Sequence, residues 1–169
     1  MITTKRGQLF SLPFIYIFGI IVAALILAFG FSSILKLTKT VDEASSSKSV
    51  EGLREKVDFY YTLEPGSKKQ FKLDSAIRLP SKIEQACFVK PKSPLTSQLP
   101  DSALAPLIQN SNYNLYFLPF TSFKNTRFLV KNLEPKTNPL CIKTQGFLSF
   151  TLETKATSEK VYVEINNNN

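Results

Sequence analysis

The stretch GQLFSLPFIYIFGIIVAALILAFGFSSIL, Gly7 to Leu35, contains no charged residue. Lys5 and Arg6 precede it, and Lys36 and Lys39 follow. A helix needs about 20 predominantly apolar residues to cross a bilayer core, so this run crosses with residues to spare. A core helix of a soluble domain would need a polar face, and this run has none. A cleaved secretory signal is a second alternative, with Ala28 and Gly30 as small residues for the cut, but its apolar region is usually about 7–15 residues. A retained anchor over residues 9–35, with the lipid bilayer as partner, is the expectation. Pro13 sits early in the helix, where its missing N–H does little harm. Gly19 and Gly30 leave low patches where another helix could approach.

Lysine and arginine counts on the two flanks nearly balance, so charge alone does not orient the span. A large C-terminal part after a single N-terminal span is the build of an exported, signal-anchored domain. The two cysteines, Cys87 and Cys141, also suit an oxidising side. The expectation is a single-pass protein of the cell membrane, with residues 1–8 cytoplasmic and the C-terminal domain extracellular. In that compartment the cysteine pair reads as a disulfide. It would close a loop of about 55 residues, worth roughly 4 kcal/mol by chain entropy. Two separate buried thiols are the alternative.

The outer chain is long enough for one domain with its own core. From Ala44 onward it carries 17 Lys and Arg against 11 Asp and Glu. Such a surplus is ordinarily a solvated surface; its functional alternative is attraction to an anionic polymer. No run of basic residues marks a nucleic-acid arm. Residues 36–48 are polar and Ser-rich and read as a hinge, or as a frayed continuation of the helix. Val50, Leu53, Val57 and Tyr60 or Tyr61 then form an apolar stripe at helical spacing, with Ser49 as N-cap. The stripe reads as a face packed on the domain. The alternative is an oligomer contact through Val50, Leu53, Val57 and Tyr61, serving a homo-oligomer or the subunits of a membrane complex. Pro65 and Gly66 should end this helix near Leu63.

Strand signals follow at Gln70–Leu73, Ile77–Leu79, Ile83–Val89, Asn114–Pro119 and Thr126–Leu133. Pro91, Pro94, Pro100 and Pro106 mark a long connection, with a short helix starting at Asp101-Ser102. Phe117, Phe120, Phe123 and Phe128 cluster in sequence, as core filler or as an exposed patch. Leu140–Lys143, Phe147–Glu153 and Val161–Ile165 read as a three-stranded antiparallel meander with one buried face. The fold class expected is α+β: a single transmembrane helix, a short amphipathic helix, then an antiparallel β-sheet or small β-sandwich over residues 49–165. Residues 166–169 are expected as a disordered tail.

Lys5-Arg6-Gly7-Gln8 directly before an apolar helix resembles the processing site of archaeal type IV pilin-like proteins, the class III signal peptide. The resemblance implies a prepilin-type peptidase that cuts after Gly7 and leaves the helix on the mature protein. It also implies a β-rich head on a long N-terminal helix. Cys87-Phe88-Val89 with a later cysteine is similar to small proteins of that kind. Assembling pilins carry a Glu five residues into the mature chain. Counted from Gln8, that position is Leu12, so the resemblance implies a pilin-like tethered protein rather than a filament subunit.

The chain has no His, which removes Ser-His and Cys-His nucleophile pairs. Its glycines are too scattered for a phosphate loop. Asp74, Glu84, Asp101 and Glu134 lie far apart in sequence. Two cysteines without His fall short of a zinc site. No N-x-[ST] sequon is present. The expectation is a non-enzymatic structural or interaction protein with no cofactor. The alternatives are a tethered module for an anionic polymer and an accessory subunit of a membrane complex.

Overall fold

The computed structural model describes residues 11–72, 76–94, 99, 104–121 and 125–167. The chain divides into two compact units, Met1–Val41 and Asp42–Asn169. Helix α1, Ser11–Tyr61, contributes to both.

In the first unit α1 is uncharged and largely apolar on all sides from Phe14 to Ile34. Its most apolar 18-residue window has a mean hydropathy of 2.7 and none of it is buried. Large side chains from Phe14 to Leu37 stand exposed on every face, Ile21 at 52% and Phe29 at 74%. The helix is long and apolar enough to span a membrane.

The second unit begins with the rest of α1. Here Ser46, Val50, Leu53, Val57 and Tyr60 recur at alternating spacings of four and three residues, and all are buried. That period lays one stripe along the helix. The helix stops where Thr62 N–H bonds Phe59 O and Leu63 N–H bonds Tyr60 O, tightening the last turn. Pro65 and Gly66, at φ 96°, then turn the chain back.

Among the described residues the strands are β1 (Lys68–Phe71), β2 (Ile77–Arg78), β3 (Gln85–Phe88), β4 (Leu115–Leu118), β5 (Arg127–Phe128), β6 (Leu133–Pro135), β7 (Leu140–Lys143), β8 (Phe147–Leu148), β9 (Phe150–Ala156) and β10 (Val161–Asn167). Helix α2, Leu104–Gln109, lies between β3 and β4. One sheet has the order β1-β9-β10-β6, a second β5-β4-β3-β7, and β2 pairs with β8. All pairings are antiparallel except β10 with β6. The architecture is α+β, a long N-terminal helix followed by largely antiparallel sheets.

The main core joins the α1 stripe to both larger sheets. It holds Phe71, Phe150, Leu152, Val163 and Ile165 from one and Ala86, Phe88, Leu115, Phe117, Leu140 and Ile142 from the other. The opposite face of β3 and β4 turns Cys87, Tyr116 and Leu118 toward Leu104 and Ile108 of α2. Sheet β5-β4-β3-β7 is therefore covered on both faces, which is why all four residues of β4 are buried.

Several expectations need correction. Of the two readings of residues 36–48, the continuation of the helix holds and the hinge does not: α1 runs through them, and Ser46 is 1% exposed in the core-facing stripe. Ser49 is not an N-cap. It lies inside α1, where its hydroxyl meets the carbonyls of Ser45 and Arg78. Small side chains here let the 78–83 segment approach the helix backbone, and Lys82 reaches Asp42 at 2.5 Å. Of the expected C-terminal meander only the antiparallel pairing of its last two strands, β9 with β10, forms. β7 pairs with β3 rather than with its sequence neighbour, β8 goes to β2, and β9 is flanked by β1 and β10. Gly146 adopts φ 80° between β7 and β8, a turn that sends the chain to another sheet. Asn166 and Asn167 are not tail residues: they extend β10 against Thr151 and Phe150. Asn168 and Asn169 lie outside the described residues, as do Leu73, Asp101 and Ser102.

The stripe generates a test. Leu53→Ala is expected to cost about 2–5 kcal/mol, seen as a lower denaturant midpoint of the full chain in detergent. Tyr61→Ala, at a position 39% exposed, should change stability by no more than about 0.5 kcal/mol.

Candidate functional site

Of the residues singled out from sequence, Lys5, Arg6, Gly7 and Gln8 lie outside the described residues. Cys87 and Cys141 do meet. They occupy directly opposed positions on β3 and β7 and form a disulfide. Cys87 is fully buried beneath α2 and Cys141 is half-buried. The bridge encloses α2, β4, β5 and β6 in one covalent loop of sequence separation 54.

Of the alternative oligomer contact through Val50, Leu53, Val57 and Tyr61, three residues are taken up inside the chain, while Tyr61 is 39% exposed. Val50, Leu53 and Val57 are 2%, 1% and 0% exposed within the chain's own core. They have no surface left for a partner. The stripe packs on the chain's own two sheets, as the first of its two readings expects. The phenylalanines divide similarly. Phe117 is buried, Phe128 packs against the main core, Phe120 packs against the second cluster, and Phe123 lies outside the described residues.

The solvent-facing side of sheet β1-β9-β10-β6 carries a charged row. Register sets Lys68, Glu153, Glu164 and Glu134 side by side across the four strands. Like charges directly opposite are unfavourable, and lysines offset them. Glu134 takes Lys160 on one carboxylate oxygen and Lys90 on the other, the latter at 3.2 Å. Glu153 is paired with Lys155 and, at 4.0 Å, with Lys68. Part of the lysine surplus thus stands next to glutamates on this sheet.

These contacts move protons. Burial pushes the Glu134 carboxyl up, but hydrogen bonds and charge from Lys160 and Lys90 outweigh it and hold the group below the ordinary glutamate value. The hydrogen bond from Lys155 draws Glu153 down in the same way, against some burial. Lys160 and Lys155 are raised in turn by their glutamates. Glu134 also links three segments, since Lys90 ends the β3 strand region and Lys160 sits in the β9–β10 turn. Asn138 supports the same corner: its Oδ1 accepts from Lys90 N–H and its Nδ2 donates to Pro94 O.

Sequence reasoning missed Glu134 as an organiser and missed Asn114. The Asn114 side chain accepts from Val130 N–H and donates to Val130 O and Leu133 O, which ties the β5–β6 connection to β4. Nothing in the local sequence signals either role, because the partners lie 16 to 44 residues away.

The described residues of the head line open clefts. One, of about 560 Å³, is lined by Lys92, Ser93, Pro94, Ile108 and Gln109. Another, of about 340 Å³, is lined by Arg54, Asp58, Leu129 and Lys131. Its arginine is already engaged, by the Leu129 carbonyl and by Glu51. Among the described residues no three His, Cys, Asp or Glu side chains are grouped to hold a metal ion. The arrangement offers an apolar helix surface and a cross-linked head. No family model, curated protein or solved structure matches the chain.

Two outcomes follow. The lowered folded value of Glu134 gives stability that is present above the ordinary glutamate value and lost as pH falls through the folded one. Glu134→Gln should therefore flatten the acid limb of stability against pH below about 4.3, measured by thermal unfolding across that range. The double change Cys87→Ala with Cys141→Ala should cost roughly 4 kcal/mol, read as a lower midpoint that added reductant no longer shifts.

Proposed function

We propose that this chain is a membrane-anchored, non-enzymatic structural or interaction protein of the pilin-like type, its head held on the extracytoplasmic side. One observation carries the reading. The helix surface from Phe14 to Ile34 is uncharged, and its large apolar side chains are uncovered on all faces. Left in water, that surface would cost tens of kcal/mol at about 25 cal/mol per Å². A bilayer removes the cost without asking for any protein partner. The disulfide supports placement of the head in an oxidising compartment, since such bonds persist there and are rare in the cytosol. The Lys5-Arg6-Gly7-Gln8 stretch supports cleavage by a prepilin-type peptidase. On this reading the head presents surfaces to other molecules and the helix keeps it at the membrane.

The mature N-terminus tests this directly. Sequencing the native protein should give Gln8 as the first residue, with the protein extracted only by detergent. An intact Met1 would remove the pilin-like assignment, and a start near Phe31 would remove the anchor.

A further inference from the structure

We infer that the lipid-contacting part of the first unit does not end with the uncharged run at Leu35. It continues through the turn Ile34–Val41, which forms an interfacial segment that takes anionic lipid headgroups on Lys36 and Lys39. The inference rests on the membrane reading above and adds to it a boundary and a headgroup chemistry.

Four observations converge on this turn. Ile34, Leu37 and Val41 recur at spacings of three and four and are 65%, 67% and 58% exposed. They form an apolar stripe that starts inside the uncharged run at Ile34 and carries past its end at Leu35, continuous with the apolar surface before it. The two threonines among them are internally satisfied. Thr38 Oγ1 donates to Ile34 O at 2.9 Å, and Thr40 Oγ1 to Lys36 O at 3.1 Å. Hydroxyls bonded back to the helix backbone ask little of water, so this turn can enter the headgroup zone at low cost. Lys36 is exposed, and Lys39 follows it by one helical turn in sequence. Long lysine stems lie along apolar surface while the ammonium reaches the polar zone; the first acidic residues of the chain are Asp42 and Glu43, and Asp42 is taken by Lys82 at 2.5 Å. An apolar stripe carrying two lysines fits negatively charged headgroups, which attract basic residues lying next to a span within about a Debye length.

The chain contains no Trp, so one introduced indole is a clean reporter. The full chain is reconstituted into vesicles with either brominated phosphatidylglycerol or brominated phosphatidylcholine. Phe18→Trp reports the span, Leu37→Trp and Val41→Trp the turn, and Ser47→Trp an exposed position in the head. Leu37→Trp and Val41→Trp should be quenched, more strongly by the anionic lipid, with Ser47→Trp left unquenched. Adding Lys36→Gln and Lys39→Gln should bring the two lipids to equal quenching. If Phe18→Trp is quenched and the two turn positions are not, the interfacial segment is wrong and the anchor stands. If no position is quenched, the anchor itself fails. Equal quenching by both lipids in the unsubstituted background would overturn the preference for anionic headgroups.

Discussion

Burial of the α1 stripe is the interaction on which the head depends. Val50, Leu53, Val57 and Tyr60 supply side chains to a core whose other walls come from two different sheets. Neither sheet closes on itself, and each has an apolar face that water would otherwise cover. The helix fills that space, and its own polypeptide runs on in sequence to the apolar segment of the first unit. The element that organises the head therefore also carries the residues proposed for the membrane.

The covalent and electrostatic features reinforce this arrangement at its edges. The disulfide joins strands that are already hydrogen-bonded neighbours, so its effect is mainly on the unfolded chain, whose freedom it restricts over a long loop. Asn114 and Glu134 act differently, bonding segments that the sheets alone would leave loose. Buried Asn114 is hydrogen-bonded through both ends of its amide, as a buried polar group must be. The ion pairs around Glu134 are half-exposed, and each is worth at most about 1 kcal/mol. Their value lies in fixing which loops meet at that corner.

Where sequence reasoning failed, the failures share a cause. The Ser-rich stretch was expected as a hinge because small polar residues commonly make linkers. Here Ser46 and Ser49 are small so that a neighbouring segment can lie close to the helix, and Ser49 bonds Arg78 across 29 residues. Short turns ordinarily connect neighbouring strands, and that rule holds for β9 with β10 but not for β7. Strand β7 instead follows its cysteine to β3, and the alternating pattern of β9 is equally compatible with β1 or β7 as a partner. A period-two pattern tells which face is buried but not which strand lies alongside.

Composition and periodicity were enough for what depends on local chemistry. The uncharged run at Gly7–Leu35, the helical stripe from Val50, the end of the helix before Pro65 and Gly66, and the strand character of Ala86–Val89 and Phe150–Leu152 are written in neighbouring residues. Solvent preference and backbone freedom are properties of short segments, so they can be read there. Pairing is not such a property. The order β1-β9-β10-β6, the parallel match of β10 with β6 and the meeting of Glu134 with Lys90 and Lys160 were decided only by folding. Each depends on shape fit between segments far apart in the chain, where many partners satisfy the same local pattern and only the packed core selects one.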